Sequence, residues 1–179
     1  MNAFEALIAL LLRRQGYWVQ TSFKVKLTKA EKRRIGRPSS PRWELDLVAY
    51  KGAGNEILAI ECKSYLDSPG VLFREGKFQP AERYKLFTDS QLRRVVLRRL
   101  AKQLESSGSC APGPTVRLCL AAGNVAAARD LEGLRAHFET KGWRLFAPDW
   151  IQAELRSTST DAYENDVALV VAKLLLRAK

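Results

Sequence analysis

An α/β domain with a mixed sheet flanked by helices is the fold class this sequence predicts, on three observations. Helix-period apolar stripes open the chain and recur through its second half. Strand-like apolar runs, ILAIECKSY and VRLCLAA the clearest of them, lie between, and turn signals sit at the joins. The order reads αβββαβαβαα in 179 residues, a length suited to one domain with a sizeable core, so residues 1–179 are taken as that domain.

The first helix is expected over 3–15, with Phe4, Leu7, Ile8, Leu11 and Leu12 as its buried stripe and Gly16 closing it. Aromatic and β-branched residues make 17–27 a strand. Residues 28–42 read as a basic loop. A second strand over 43–50, a KGAGN turn and a third strand over 56–65 form a hairpin. Residues 66–80 read as irregular. A long helix follows, with Thr88 and Gln91 offering a capping box, Leu92, Val95, Val96, Leu100 and Gln103 inward, and Arg94, Arg98 and Lys102 outward. Then come a strand over 116–122, a helix over 127–140 ended by Gly142, and a short strand over 143–147. The C-terminal helical extension, 149–179, starts with Asp149 as a cap, and its last helix is expected to bury Val167, Val170, Val171, Leu174 and Leu175.

Composition narrows the function classes. No run approaches the length of a membrane span. The opening apolar run carries Glu5 where a secretion signal would be basic, so it reads as a native amphipathic helix and the protein as cytoplasmic, with no membrane partner. Cys62, Cys110 and Cys119 lack zinc spacing and are expected as reduced thiols; the lone His137 reads as a surface or packing residue. Trp18, Trp43, Trp143 and Trp150 read as core anchors. The net charge is +11, and it is clustered: residues 13–42 carry ten Lys/Arg against one acid, and residues 74–103 nine against three. Between them, residues 43–73 are acidic by three charges. Two basic segments flanking an acidic island suit a polyanion binder with a site between.

The hairpin carries the chemistry. Centring it on Ala53 and Gly54 sets Asp46 across from Glu61 and Glu44 across from Lys63. Period-2 alternation then gathers Asp46, Glu61 and Lys63 on one face with Glu44 at the rim, while Leu45, Leu47, Leu58 and Ile60 pack the other. Facing carboxylates repel, and a cation between them is the economical explanation. Two carboxylates plus waters and substrate oxygens suit Mg²⁺. The Lys63 ammonium would sit beside the attacking water or the phosphate, the apparatus of metal-assisted phosphodiester hydrolysis. The competing reading is a polar sheet face with simple cross-strand ion pairs, and a one-residue register slip would separate the two carboxylates.

An acidic residue on an opening helix (Glu5 in FEALIALLLRRQGYWV), Asp46 in WELDLVAY and Glu61-Cys62-Lys63 in ILAIECKSY together resemble the restriction-endonuclease-like PD-(D/E)XK nuclease superfamily, in its Mrr-like and Holliday-junction-resolvase-like branches. Leu45 stands where the motif has its nominal Pro. The resemblance implies an αβββαβ core over about residues 3–147 and a Mg²⁺-dependent DNA endonuclease of restriction, defence or repair, with Mn²⁺ able to substitute. It implies Asp46, Glu61 and the main-chain carbonyl of Cys62 as metal ligands, Lys63 acting on the attacking water, Glu5 as an outer ligand or hydrogen-bonding partner, and Gln79 or Gln91 as a further helix residue. In that frame Lys29, Lys32, Arg33, Arg34, Arg37, Arg42, Arg94, Arg98 and Lys102 become candidate contacts to double-stranded or branched DNA. The Gly36-Arg37-Pro38 piece, like a minor-groove hook, reads as part of a solvated basic loop. A homodimer would supply two sites for two strands. The alternative is a DNA-binding module on the same fold without catalysis.

Overall fold

The computed structural model describes residues 2–36, 42–160 and 165–176. Helix α1 (Ala3–Arg14) is fixed by a capping box: Asn2 accepts from the Glu5 N–H, and the Glu5 carboxylate accepts from the Asn2 N–H. Strands β1 (Trp18–Val25), β2 (Trp43–Lys51) and β3 (Glu56–Lys63) run antiparallel, and β6 (Thr115–Ala122) and β7 (Arg144–Phe146) add in parallel. The sheet order is therefore β1-β2-β3-β6-β7 and the sheet is mixed, as expected. Helix α4 (Ser90–Ser106) and helix α5 (Ala128–Lys141) share the core on one face; α1 and α6 (Pro148–Thr158) share the core on the other. Among the described residues no helix is long and apolar enough to cross a membrane.

Several expectations are corrected. Residues 28–42 are not simply loop: α2 (Lys29–Arg34) forms because Thr28 and Glu31 make a capping box. The stretch 66–80 contains a hairpin, β4 (Leu72–Arg74) with β5 (Lys77–Gln79), closed by Glu75 and Gly76, both at positive φ as a two-residue hairpin loop requires. A short helix α3 (Lys85–Thr88) leads to α4, which Asp89 caps through the Leu92 N–H, so no Thr88–Gln91 box is needed. Pro148 opens α6 at its first turn, and Asp149 pairs instead with Arg135 of α5.

Trp18 is 82% exposed rather than a core anchor, on edge strand β1. Helix α7 (Val167–Leu176) buries Leu169 and Ala172, while Val167, Val171, Leu174 and Leu175 face outward and Val170 is half-buried. Its apolar residues run almost all round the helix, so periodicity could not choose the buried stripe. Leu45 packs with Val48 in the core under α4, away from Leu47 and Ala49, which pack under α1. Alternation therefore slips by one step around Asp46. Directly alongside in β1, Ser22 sits at φ +50 and the ladder skips the 22–46 pair.

Candidate functional site

That slip builds the site. The β2–β3 register is the expected one, with Leu47 opposite Ile60 and Val48 opposite Ala59, but the ladder stops at Leu47. On its other edge β3 stays paired with β6 through Lys63, and the Gly123 N–H donates to the Lys63 carbonyl at 2.9 Å. Strand β2 thus peels from β3 while β6 keeps β3 extended, and a gap opens beside residues 61–63. Into it comes the Asp46 carboxylate, whose Oδ2 accepts from the Cys62 N–H at 2.6 Å. Asp46 and Glu61 are brought together as the sequence predicted, through a carboxylate–backbone bond rather than a facing ladder pair. Glu44 is exposed and makes no ion pair with Lys63; the Lys63 Nζ lies 3.8 Å from Glu61.

Electrostatics mark Glu61. Its side chain is only 18% exposed, and its pKa is pushed up to about 7, first by burial and then by the neighbouring Asp46 carboxylate, with Lys63 opposing. Burial, then Asp46, Glu5 and Glu61, push the Cys62 thiol up, so the side chain is a neutral packing group under α1. Because N–H and C=O of one strand residue point to the same edge, the Cys62 carbonyl shares the gap into which its N–H donates. Two carboxylates and a carbonyl fit Mg²⁺, which keeps several waters and rarely takes a full protein cage. Among the described residues no cluster of three His, Cys, Asp or Glu side chains is poised for a metal. Glu5 bears on the Cys62 thiol electrostatically, yet both its oxygens engage Asn2, at 3.1 and 2.7 Å, which is a helix-capping role.

The basic residues divide. Lys29, Arg33, Arg34 and Arg42 are exposed and Lys32 half-buried; Arg94, Arg98 and Lys102 are exposed along α4 as predicted. Arg37 lies outside the described residues. Helix α4 stitches β1 and α2 to itself: Gln103 bonds the Lys26 N–H and the Lys24 carbonyl, Arg99 the Lys26 carbonyl, and Gln91 the Arg34 carbonyl at 2.7 Å. Two basic segments distant in sequence therefore form adjoining surfaces, near the sheet end where β1 finishes and β2 begins. Gln91 is spent on that tether, and Gln79 is exposed at the end of β5, so neither joins the carboxylates.

Sequence reasoning missed the far wall. A cavity of about 400 Å³ is lined by Asn2, Cys62, Lys63, Ser64, Tyr65 and Arg83. Arg83 comes from the turn after β5 and carries no motif, so only the folded hairpin brings it near Lys63. His137 packs among Phe73 and Trp143, and the three cysteines are free thiols.

No family model matches the chain. No curated protein matches it. Among solved structures, the crystal structure of a protein of unknown function, AF1548, matches 97% of this chain and 79% of that one, with a TM-score of 0.50 and 17% sequence identity. A likeness at that identity is one of fold.

Proposed function

We propose that the chain is a metal-dependent DNA endonuclease with a restriction-endonuclease-like αβββαβ core. The observation that carries the reading is the half-buried Asp46–Glu61 pair beside Lys63, in a gap that one strand opens by leaving its neighbour. Asp46 satisfies the Cys62 N–H, but Glu61 gains nothing structurally from standing half-buried beside a second carboxylate, and its raised pKa reflects burial first and Asp46 second.

Asp46, Glu61 and the Cys62 carbonyl would hold Mg²⁺ or Mn²⁺, which supplies Lewis acidity toward phosphate and water. Lys63 orients the attacking water and balances charge that develops on the phosphate. The water oxygen adds to phosphorus, one P–O ester bond breaks, a water proton passes to solvent, and the leaving oxygen takes a proton back. The adjoining basic surfaces of α2 and α4 supply sequence-independent contacts to backbone phosphates, which makes binding salt-dependent.

The test is nicking of supercoiled plasmid by the purified chain with Mg²⁺ or Mn²⁺, beside Asp46→Ala and Lys63→Ala. The parent nicks and both variants lose at least about 100-fold in rate. DNA binding without cleavage in the parent turns the reading to a binding module; failure to bind DNA at low salt defeats both.

A further inference from the structure

The cavity beyond Lys63 has a chemistry that the carboxylate pair does not explain. Lys63 and Arg83, two cations, line one open pocket of about 400 Å³ with the neutral groups of Asn2, Ser64 and Tyr65. The carboxylates adjoin it: Asp46 accepts from the N–H of Cys62, which lines the pocket, and Glu61 lies 3.8 Å from Lys63. Lys63 has Glu61 as a partner at 3.8 Å. Arg83 has no carboxylate partner among the described residues, and Ser64 Oγ no hydrogen bond there. Arg83 is exposed, so water can solvate its guanidinium, and what sets it apart is its place in one pocket with Lys63, beside the carboxylates. Two cations lining one pocket suit an anion of the phosphate class.

The position of Arg83 is built rather than incidental. The next residue, Tyr84, is 2% exposed, stacks on Phe78 of β5 with ring centroids 4.4 Å apart, and has the Tyr65 hydroxyl as an electrostatic neighbour. Behind it, the Arg83 N–H donates to the Pro80 carbonyl at 3.2 Å, and the Thr88 hydroxyl donates to the Tyr84 carbonyl. Tyr65 itself turns the chain at φ +46, directly after Lys63 and Ser64. Buried Tyr84 and its neighbour Tyr65 therefore place the backbone bearing Arg83 beside the segment bearing Lys63, within reach of a phosphate without a loop rearrangement.

Resting on the nuclease reading, we propose that Arg83 is a catalytic residue that grips the non-bridging oxygens of the phosphate being cut. Metal and carboxylates address that phosphate from one side, Lys63 and Arg83 from the other. A phosphodiester carries one negative charge and approaches two as the water oxygen adds, so a second fixed cation acts most strongly on the transition state.

The experiment uses the full chain and the variants Arg83→Ala and Arg83→Lys, with Lys63→Ala as reference and thermal melts to show that each is folded. Binding to a short duplex is titrated against salt in EDTA, and nicking is measured with Mg²⁺ at saturating DNA. Arg83→Ala is expected to flatten the slope of log K against log salt by about 0.9, one phosphate contact. It is expected to lower kcat by about 10²–10³-fold. Arg83→Lys restores the slope and only part of kcat, because the planar fork is gone. If Arg83→Ala keeps both slope and kcat while Lys63→Ala stops nicking, the proposal falls and the nuclease reading stands. A flattened slope with unchanged kcat also overturns it, since the phosphate held is then not the one cut. If the parent binds DNA without cutting and Arg83→Ala still flattens the slope, the cavity is a phosphate site and the nuclease reading falls. A parent that binds no DNA overturns both.

Discussion

Replacing Glu61 with Gln separates what this carboxylate does to stability from what it does for a ligand. Its pKa rises from 4.5 to about 7, first through burial and then through Asp46. Each pH unit is about 1.4 kcal/mol, so ionising Glu61 in the metal-free fold costs about 3 kcal/mol. The sign follows from linkage. Below about 4.5 both the folded and the unfolded chain hold the proton, and this contribution to stability is intact. Between about 4.5 and 7 the unfolded chain releases the proton first, so stability falls as pH rises; above about 7 the full penalty applies. Gln mimics the protonated acid at every pH. Losing the 3.8 Å contact to Lys63 offsets the gain by under about 1 kcal/mol, leaving about 2–3 kcal/mol in favour of Glu61→Gln at pH 8. For a chain of this size that is a rise of about 4–12 °C in melting temperature. The assay is thermal melting in EDTA from pH 5 to pH 8, repeated with saturating Mg²⁺. In EDTA the two proteins match near pH 5 and diverge toward pH 8, with the variant more stable; with Mg²⁺ the parent gains stability and the variant does not. Parallel pH profiles in EDTA, or a variant less stable at pH 8, refute the reasoning.

Other outcomes follow from single contacts. A Cβ at Gly123 would run into the Ser64 carbonyl oxygen and lie 3.1 Å from the Phe4 ring, so Gly123→Ala should lower stability by about 1–3 kcal/mol and slow nicking by displacing the segment after Lys63; melts and plasmid assays on one preparation check both. Leu169→Ala, at a residue 2% exposed, should lose about 2–5 kcal/mol, while Leu174→Ser, at 79% exposure, should change stability by less than about 0.5 kcal/mol in urea titrations.

What the sequence made legible depended on whether a pattern was local. The α1 stripe, the hairpin register around Ala53 and Gly54, and the outward row Arg94, Arg98 and Lys102 are all matters of spacing along one or two elements, and each is present. Some signals were present in the chain and outweighed: Thr28 and Glu31 spell a capping box inside a stretch whose basic charge suggests loop, and Glu75-Gly76 spells a hairpin turn inside 66–80. Others were not there to read. Nothing near Leu45 announces that alternation slips, because the slip is shared by β1 and β2 and involves a positive φ at Ser22, a residue without glycine's freedom. Helix α7 is apolar on nearly every side, so which stripe is buried is decided by its neighbours and not by its period. Arg83 lines one pocket with Lys63 only because the hairpin and the turn after it fold that way.

The slip at Asp46 and the site are one event seen twice. Had β2 continued in register beside β3, Asp46 and Glu61 would face each other across a closed ladder, where like charges oppose pairing and the backbone leaves no opening for a ligand. By stopping the ladder at Leu47, the sheet gives up backbone pairing at one step and fills the vacated Cys62 N–H with the Asp46 carboxylate. That substitution satisfies the buried donor, holds Asp46 at fixed depth, and leaves the Cys62 carbonyl and Glu61 turned to the same opening. Strand β6 makes this possible, since its parallel pairing through Lys63 and the Gly123 N–H keeps β3 extended after β2 has left. The charges of Glu61 and Lys63 are thus tolerated at the end of a buried strand because the strand is buried from one edge only.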